Sequence, residues 1–282
     1  MNRLIRTAST LLTAAALLTG CSSSSAAASS ETASAASGRQ TLRVGMECNY
    51  APFNWSTTSS TDTSKPISSV DYCDGYDVIM ASTIAEGLDM DVEIVKTDWD
   101  NLIPALQNGE IDAIIAGMTA TDERKETVSF TEPYYSSEEV VIVKADSALS
   151  SITNIQELAG YKVMGQLNTL YDDIIDQIDG VVHATPKEDY PSMVYSLQQG
   201  EVDAITAELP VAEGVISANP DLTIVRFSEG NGFVADSTVS IAVAKDNTEL
   251  LNKMQEIINT ISEDTRQQIM LEAVERQPAN ED

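Results

Sequence analysis

Apolar and polar positions change their spacing several times along the chain, and each change predicts an element. Thr41-Leu42-Arg43-Val44-Gly45-Met46 reads as a strand running into a loop with Glu47, Tyr50 and Pro52. After Gly75-Tyr76-Asp77, the apolar residues Val78, Ile79, Ile84 and Leu88 follow a roughly helical spacing. Asp91 to Val95 reads as a strand, Leu102 to Leu106 starts a short helix ending near Gly109, and Ile111 to Ala116 is a largely apolar strand. Val140 to Val143, Lys162 to Gly165, Thr223 to Phe227 and Val239 to Val243 are further strand candidates, with a short helix at Ile155 to Gly160. Leu250 to Met270 is a long amphipathic stretch in which Leu251, Met254, Ile257, Ile258, Ile261 and Ile269 can share one face. Short apolar strands alternating with helices predict an α/β fold with parallel strands.

One piece of this pattern occurs twice. Leu106-Gln107-Asn108-Gly109-Glu110-Ile111-Asp112-Ala113-Ile114-Ile115-Ala116 returns as Leu197-Gln198-Gln199-Gly200-Glu201-Val202-Asp203-Ala204-Ile205-Thr206-Ala207. Each copy describes a helix closed by glycine, a tight turn and a buried strand. The copies lie too far apart for a solenoid repeat. Two similar lobes explain them better than one larger domain with a recurrent turn.

Sheets of this kind carry ligands at the carboxyl ends of their strands, so the residues after Ala116 and Ala207 are the candidate site. The first segment, Gly117-Met118-Thr119-Ala120-Thr121-Asp122-Glu123-Arg124, offers backbone freedom, hydroxyls and a guanidinium. These groups suit a carboxylate, which arginine can hold bidentately. The plainer alternative is a Thr-capped helix with Arg124 on the surface. After the second strand, Glu208 can receive an ammonium group, or else lie on a loop facing solvent. Tyr50, Phe53 and Trp99 offer aromatic walls, although such rings more often fill cores.

The N-terminus bears on the compartment. Arg3 and Arg6 precede an apolar run, Leu11 to Leu18, that is too short to span a bilayer. It ends in Leu18-Thr19-Gly20-Cys21, which resembles the lipobox of bacterial lipoproteins. Residues 1–20 are therefore expected to be a signal peptide and Cys21 to be lipidated. Residues 21–40, rich in Ser and Ala, are expected to be a flexible tether. The expected location is extracytoplasmic, anchored by lipid to the cell membrane.

Charge and cysteine usage narrow the chemistry further. A formal net charge of −28 repels a nucleic-acid backbone and suits a solvated surface. In an exported chain, Cys48 and Cys73 invite a disulfide that ties the polar insertion Ser56 to Val70 to the core, with two unpaired thiols as the alternative. Those cysteines and the lone His183 make no metal-ligand cluster, so no metal and no cofactor are expected. For His183 a surface or packing role is expected. The chain is expected to act as a monomer.

Several ordered motifs then coincide. They are Gly45 with Tyr50-Ala51-Pro52-Phe53, Gly75-Tyr76-Asp77-Val78, Leu102-Ile103-Pro104-Ala105-Leu106, and Asp112-Ala113-Ile114-Ile115-Ala116-Gly117-Met118-Thr119. Glu123-Arg124 and Phe130-Thr131-Glu132-Pro133-Tyr134-Tyr135 complete the series. From about Leu42 to the final helix, the chain resembles the extracellular solute-binding proteins of polar amino acid ABC importers, called family 3.

The resemblance implies a two-lobed periplasmic-binding-protein-like fold (type II), each lobe a central sheet flanked by helices, hinged by two crossover strands. Residues 41–137 and 240–282 would form the first lobe and residues 138–239 the second. It implies a free amino acid as ligand, an ABC transporter permease as partner, and no enzymatic activity. Arg124 would grip the α-carboxylate with Thr119 and the Gly117 backbone, while Asn168 and Thr169 add contacts from the second lobe. Glu208, at a position where the family usually has Asp, would take the α-ammonium. Tyr50 and Trp99 would sandwich the side chain and Glu47 would meet a cationic or amide end. A basic or amide-bearing amino acid follows, with a methionine-like ligand as the alternative. Dehydratases of the arogenate or prephenate kind share the fold and give the enzymatic alternative, but the chain shows no nucleophile–base pair. The sensory module of a receptor kinase is a third possibility, which the lipobox opposes.

Overall fold

A computed structural model describes residues 39–278. The expected signal peptide, the lipidated Cys21 and nearly all of the tether lie outside the described residues.

Two five-stranded sheets organise the chain. In the first, strand Thr41–Met46 lies between Asp91–Lys96 and Ala113–Ile114, parallel to both. Ala242–Ala244 pairs antiparallel with Ala113–Ile114, and Val128–Phe130 closes the edge. The second sheet runs Val182–His183, Lys162–Met164, Ala204–Glu208, Glu139–Lys144 and Leu222–Val225. Its first three strands are parallel and Glu139–Lys144 is antiparallel to both neighbours. The expectation of parallel strands therefore holds for only part of each sheet. In both sheets the antiparallel member is the strand that enters directly from the other lobe, with no helical crossover to restore its direction.

The near-repeat marks equivalent positions in the two lobes. Ala113–Ile114 and Ala204–Glu208 are each the middle strand of their sheet. The helices before them, Leu102–Asn108 and Tyr190–Gln199, both end on a left-handed glycine, Gly109 and Gly200, at φ 73°. Asp112 accepts from the backbone N–H of Arg43 at 2.9 Å, and Asp203 accepts from that of Lys162 at 2.8 Å. In each lobe the aspartate of the repeat thus fastens the turn to the neighbouring parallel strand.

The chain passes between the sheets over residues 131–138 and 226–241. There Tyr135–Ser136 pairs antiparallel with Thr238–Val239. Val140–Val143, a strand as expected, is buried inside the second sheet with no exposed surface. Its unbroken apolar run suits a strand covered on both faces.

One further segment differs from expectation, and the polar insertion, for which no element was expected, is folded. Residues 250–270 do not form one continuous helix. They divide between helices Thr248–Ile258 and Glu263–Arg276, and Ser262 caps the second by accepting from the Thr265 N–H at 3.2 Å. The polar insertion folds into a small four-stranded antiparallel sheet with Asn49–Tyr50, Asn54–Thr57, Tyr72–Asp74 and Lys65–Pro66. Thr61 and Thr63 donate to Asp74 at 2.9 and 2.8 Å, which gives this polar segment an anchor that does not depend on apolar burial. The Cys48–Cys73 disulfide is formed, and both residues are fully buried.

Candidate functional site

The loops at the carboxyl ends of strands from both sheets meet between the lobes. Strand Thr41–Met46 delivers Glu47, strand Asp91–Lys96 leads to Trp99, and strand Ala113–Ile114 leads to Gly117 and Thr119. From the second sheet, strand Lys162–Met164 leads to Gln166 and Thr169, and Ala204–Glu208 ends on Glu208. Glu47, Tyr50, Trp99, Gly117, Thr119, Arg124, Gln166, Thr169, Leu170 and Tyr171 line a shared cavity of about 20 Å³. That is room for about one water molecule and too little for an amino acid. A groove of about 510 Å³ adjoins it along Trp99, Arg124, Asn168 and Asp173.

Arg124 dominates one end. Thr121 caps helix Asp122–Thr127 by accepting from the Arg124 N–H at 3.3 Å, so the Thr cap and the candidate role of Arg124 coexist. The guanidinium sits 5.1 Å from the centre of the Trp99 ring, within cation–π range. It donates to the Thr119 carbonyl at 2.9 Å and, across the cleft, to the Asn168 carbonyl at 3.0 Å. Its pKa is lowered, chiefly because burial disfavours the charged form.

Gly117 is left-handed at φ 60°, and a Cβ there would stand 3.1 Å from Tyr50 Cε1. The left-handed conformation favours glycine here, and a Cβ would also crowd the Tyr50 ring. The Gly117 N–H donates to the Tyr134 hydroxyl at 3.0 Å, and that hydroxyl donates to Asp77 at 2.6 Å. Asp77 also accepts from Asn54 Nδ2 at 2.8 Å, while Asn54 Oδ1 accepts from the Cys48 N–H at 2.7 Å. One fully buried carboxylate thus steadies the loop after each of two strands. Burial pushes its pKa up to about 6.

The other end is acidic. Glu47 is buried and receives Gln166 Nε2 through long contacts of 3.3 and 3.4 Å. Burial pushes its pKa up to about 7, and Asp189 and Asp98 add to the rise. A groove of about 240 Å³ beside it carries Asp98, Asp100, Glu188 and Asp189. Glu208 is fully buried and does not line the cavity. It accepts from the Tyr50 hydroxyl and, at 2.7 Å, from Ser137, and burial pushes its pKa up to about 7.

Asn168 is left-handed at φ 57°, a conformation asparagine tolerates better than most residues. Its carbonyl accepts from Trp99 Nε1 at 3.2 Å as well as from Arg124, and its side chain donates to Asp100 at 2.8 Å. The structure therefore gathers Glu47, Tyr50, Trp99, Gly117, Thr119, Arg124 and Thr169 around the cavity. Asn168 lies at its rim and Glu208 behind Tyr50. Sequence reasoning missed Gln166, Leu170 and Tyr171, although all three flank the Asn168-Thr169 pair. His183 is engaged elsewhere, at 2.9 Å from both Asp172 and Asp176. Among the described residues no group of three or more His, Cys, Asp or Glu side chains is arranged to hold a metal ion.

A half-buried guanidinium and the buried Glu47 carboxyl in one cavity, with Glu208 behind Tyr50, can hold a small dipolar solute, provided the hydrogen bonds of each are met. Comparison with known proteins agrees with this chemistry. Residues 42–273 match the bacterial extracellular solute-binding proteins, family 3. A probable histidine-binding protein of Campylobacter jejuni is 32% identical over 227 residues, spanning 78% of this chain and 80% of that protein. An arginine-binding extracellular protein of Bacillus subtilis is 27% identical over 224 residues, spanning 78% of this chain and 82% of its own length. Among solved structures, an amino acid ABC transporter substrate-binding protein from Streptococcus pneumoniae bound to L-arginine superposes with a TM-score of 0.72 at 26% identity, covering 83% of this chain and 94% of that one. An ancestral arginine-binding protein bound to glutamine superposes with a TM-score of 0.69 at 32% identity, covering 83% and 97%.

Proposed function

The chain belongs to the bacterial extracellular solute-binding proteins, family 3, and from that membership we propose that it captures a free basic or amide-bearing amino acid and delivers it to an ABC importer permease. The observation that carries this reading is Arg124. Its guanidinium lies in a cavity lined from both lobes, and its hydrogen-bond partners there are the carbonyls of Thr119 and Asn168. A carboxylate meets that fork better than two separate carbonyls do, so an amino acid can replace them. Glu47 and its acidic groove suit a cationic or amide side chain at the opposite end. Relatives named for arginine and histidine, and an ancestral arginine-binding protein bound to glutamine, support the same ligand class.

In this reading Arg124, Thr119 and Gly117 take the α-carboxylate, with Asn168 and Thr169 adding contacts. Glu208 takes the α-ammonium, and Tyr50 and Trp99 flank the side chain. The lobes are residues 41–137 with 240–282, and residues 138–239. Because the cavity holds only about 20 Å³, entry requires them to part about the crossover pair Tyr135–Ser136 and Thr238–Val239. A lipid on Cys21 would keep the protein, working as a monomer, at the outer face of the cytoplasmic membrane.

The test is a thermal-shift screen of all common amino acids on protein stripped by unfolding and refolding. Arginine, lysine, histidine or glutamine should raise the unfolding midpoint. A screen in which no amino acid raised it would defeat the proposal.

A further inference from the structure

The second lobe brings to the cavity a residue whose buried polar atom the roles above do not use. Tyr171 lines the cavity and is only 8% exposed, yet its hydroxyl has no hydrogen-bond partner among the described residues. Ser137 gives its single proton to Glu208 at 2.7 Å, so toward the neighbouring phenol its oxygen can only accept, which leaves the lone pairs of the Tyr171 oxygen unclaimed. Buried tyrosine hydroxyls ordinarily find a partner, because an O–H that gives up water without replacement destabilises the fold.

The segment carrying this hydroxyl is held firmly. Thr206 Oγ1 donates to the Tyr171 carbonyl at 2.6 Å, and a side chain on Gly165 would collide with that carbonyl and with the backbone of Asp172. Close packing therefore delivers the ring to its place. Burial first, and then the nearby charge of Glu208, push the phenol's pKa well above its ordinary value, so the group stays protonated.

Glu208 also shows what is missing at this end. Its two oxygens already accept from Tyr50 and Ser137, whereas an ammonium group brings three N–H donors. One carboxylate cannot satisfy all of them, and the Tyr171 oxygen supplies a further acceptor on the Glu208 side. We propose that the Tyr171 hydroxyl is a ligand contact, accepting an N–H of the α-ammonium of the bound amino acid beside Glu208. The proposal rests on the amino-acid-binding reading above.

Tyr171→Phe removes only the oxygen. Stripped parent and variant are titrated by calorimetry, well below their unfolding transitions, with whichever of L-arginine, L-histidine and L-glutamine binds the parent. The variant should bind about tenfold more weakly or worse, while its unfolding midpoint without added amino acid stays level or rises. Weakening of at least about threefold supports the assignment. A smaller change, with the parent still binding, overturns it and leaves the proposed function intact. A lower midpoint with unchanged affinity marks the hydroxyl as structural and overturns it as well. A parent that binds none of the common amino acids overturns both readings.

Discussion

Arg124 reaches across the cleft to the main chain of Asn168, donating from Nη2 to its carbonyl at 3.0 Å. The same carbonyl accepts from Trp99 Nε1 at 3.2 Å, and the Asn168 side chain binds Asp100 at 2.8 Å. One residue of the second lobe thus joins three groups of the first. A ligand carboxylate that claims Arg124 competes with this contact, so closure and binding draw on the same guanidinium.

Replacing Arg124 with Ala should therefore remove ~3 kcal/mol or more of amino acid affinity, about a hundredfold or greater. Arg124→Lys keeps the charge without the planar fork and should recover only part of the loss. Calorimetry on stripped protein reads both. Binding by Arg124→Ala equal to the parent would exclude this arginine as the carboxylate grip.

Asn168 offers a test of the interlobe contact that leaves the arginine untouched. At φ 57° a β-branched residue is strained, and Asn168→Val also loses the bond to Asp100. We expect ~1–2 kcal/mol lower unfolding free energy, read by urea denaturation. Asn168→Gly, which accepts this conformation freely, should lie closer to the parent. Equal stability of the valine and glycine variants would show that the left-handed turn stores no strain.

Much of this architecture is legible in the chain, for identifiable reasons. The Leu106–Ala116 segment and its echo place the middle strand of each sheet because a glycine-closed helix, an Asp turn and an apolar strand form one local unit. Glu47 and the role of Trp99 come from the resemblance to the family, whereas Arg124 could be singled out because it follows a strand end, where ligands bind. Tyr171 and Gln166 could not, since their approach to the cavity depends on how the second lobe packs against the first. The central role of Asp77 was hidden for the same reason. Its partners Asn54 and Tyr134 come from distant segments, and only folding brings them together. The antiparallel strands follow from the crossing between lobes, which hydrophobic periodicity does not encode.

The disulfide joins the Glu47 loop to the small sheet. Cys48 follows Glu47 directly, and the bond to Cys73 closes a loop with a sequence separation of 25. Chain-entropy reasoning for a loop of that length gives roughly 3 kcal/mol of stabilisation. The double variant Cys48→Ala, Cys73→Ala should lose about that much in urea denaturation, and it should also bind more weakly, because Glu47 loses its rigid neighbour. A variant as stable as the parent would show that the small sheet holds without the bond.

Stability and affinity should respond to pH in opposite directions. Burial pushes Asp77 up to about 6, and Glu47 and Glu208 up to about 7. In the unfolded chain such acids titrate near ~4. Between about pH 4 and 7 the folded state therefore holds more protons than the unfolded one, and stability falls as pH rises, levelling off above about 7. The net charge of −28 acts in the same sense through self-repulsion. A cationic ligand requires the reverse protonation state, because Glu47 and Glu208 attract it only when ionised. Affinity for L-arginine should rise toward about pH 7, by up to about tenfold per unit for each acid that must release its proton. Urea denaturation at about pH 5 and 8 reads the first trend. Calorimetry near pH 6 in two buffers of different ionisation enthalpy reads the second as proton release on binding. If arginine bound equally well across that range, with heats independent of buffer, neither buried glutamate would be meeting its positive charge.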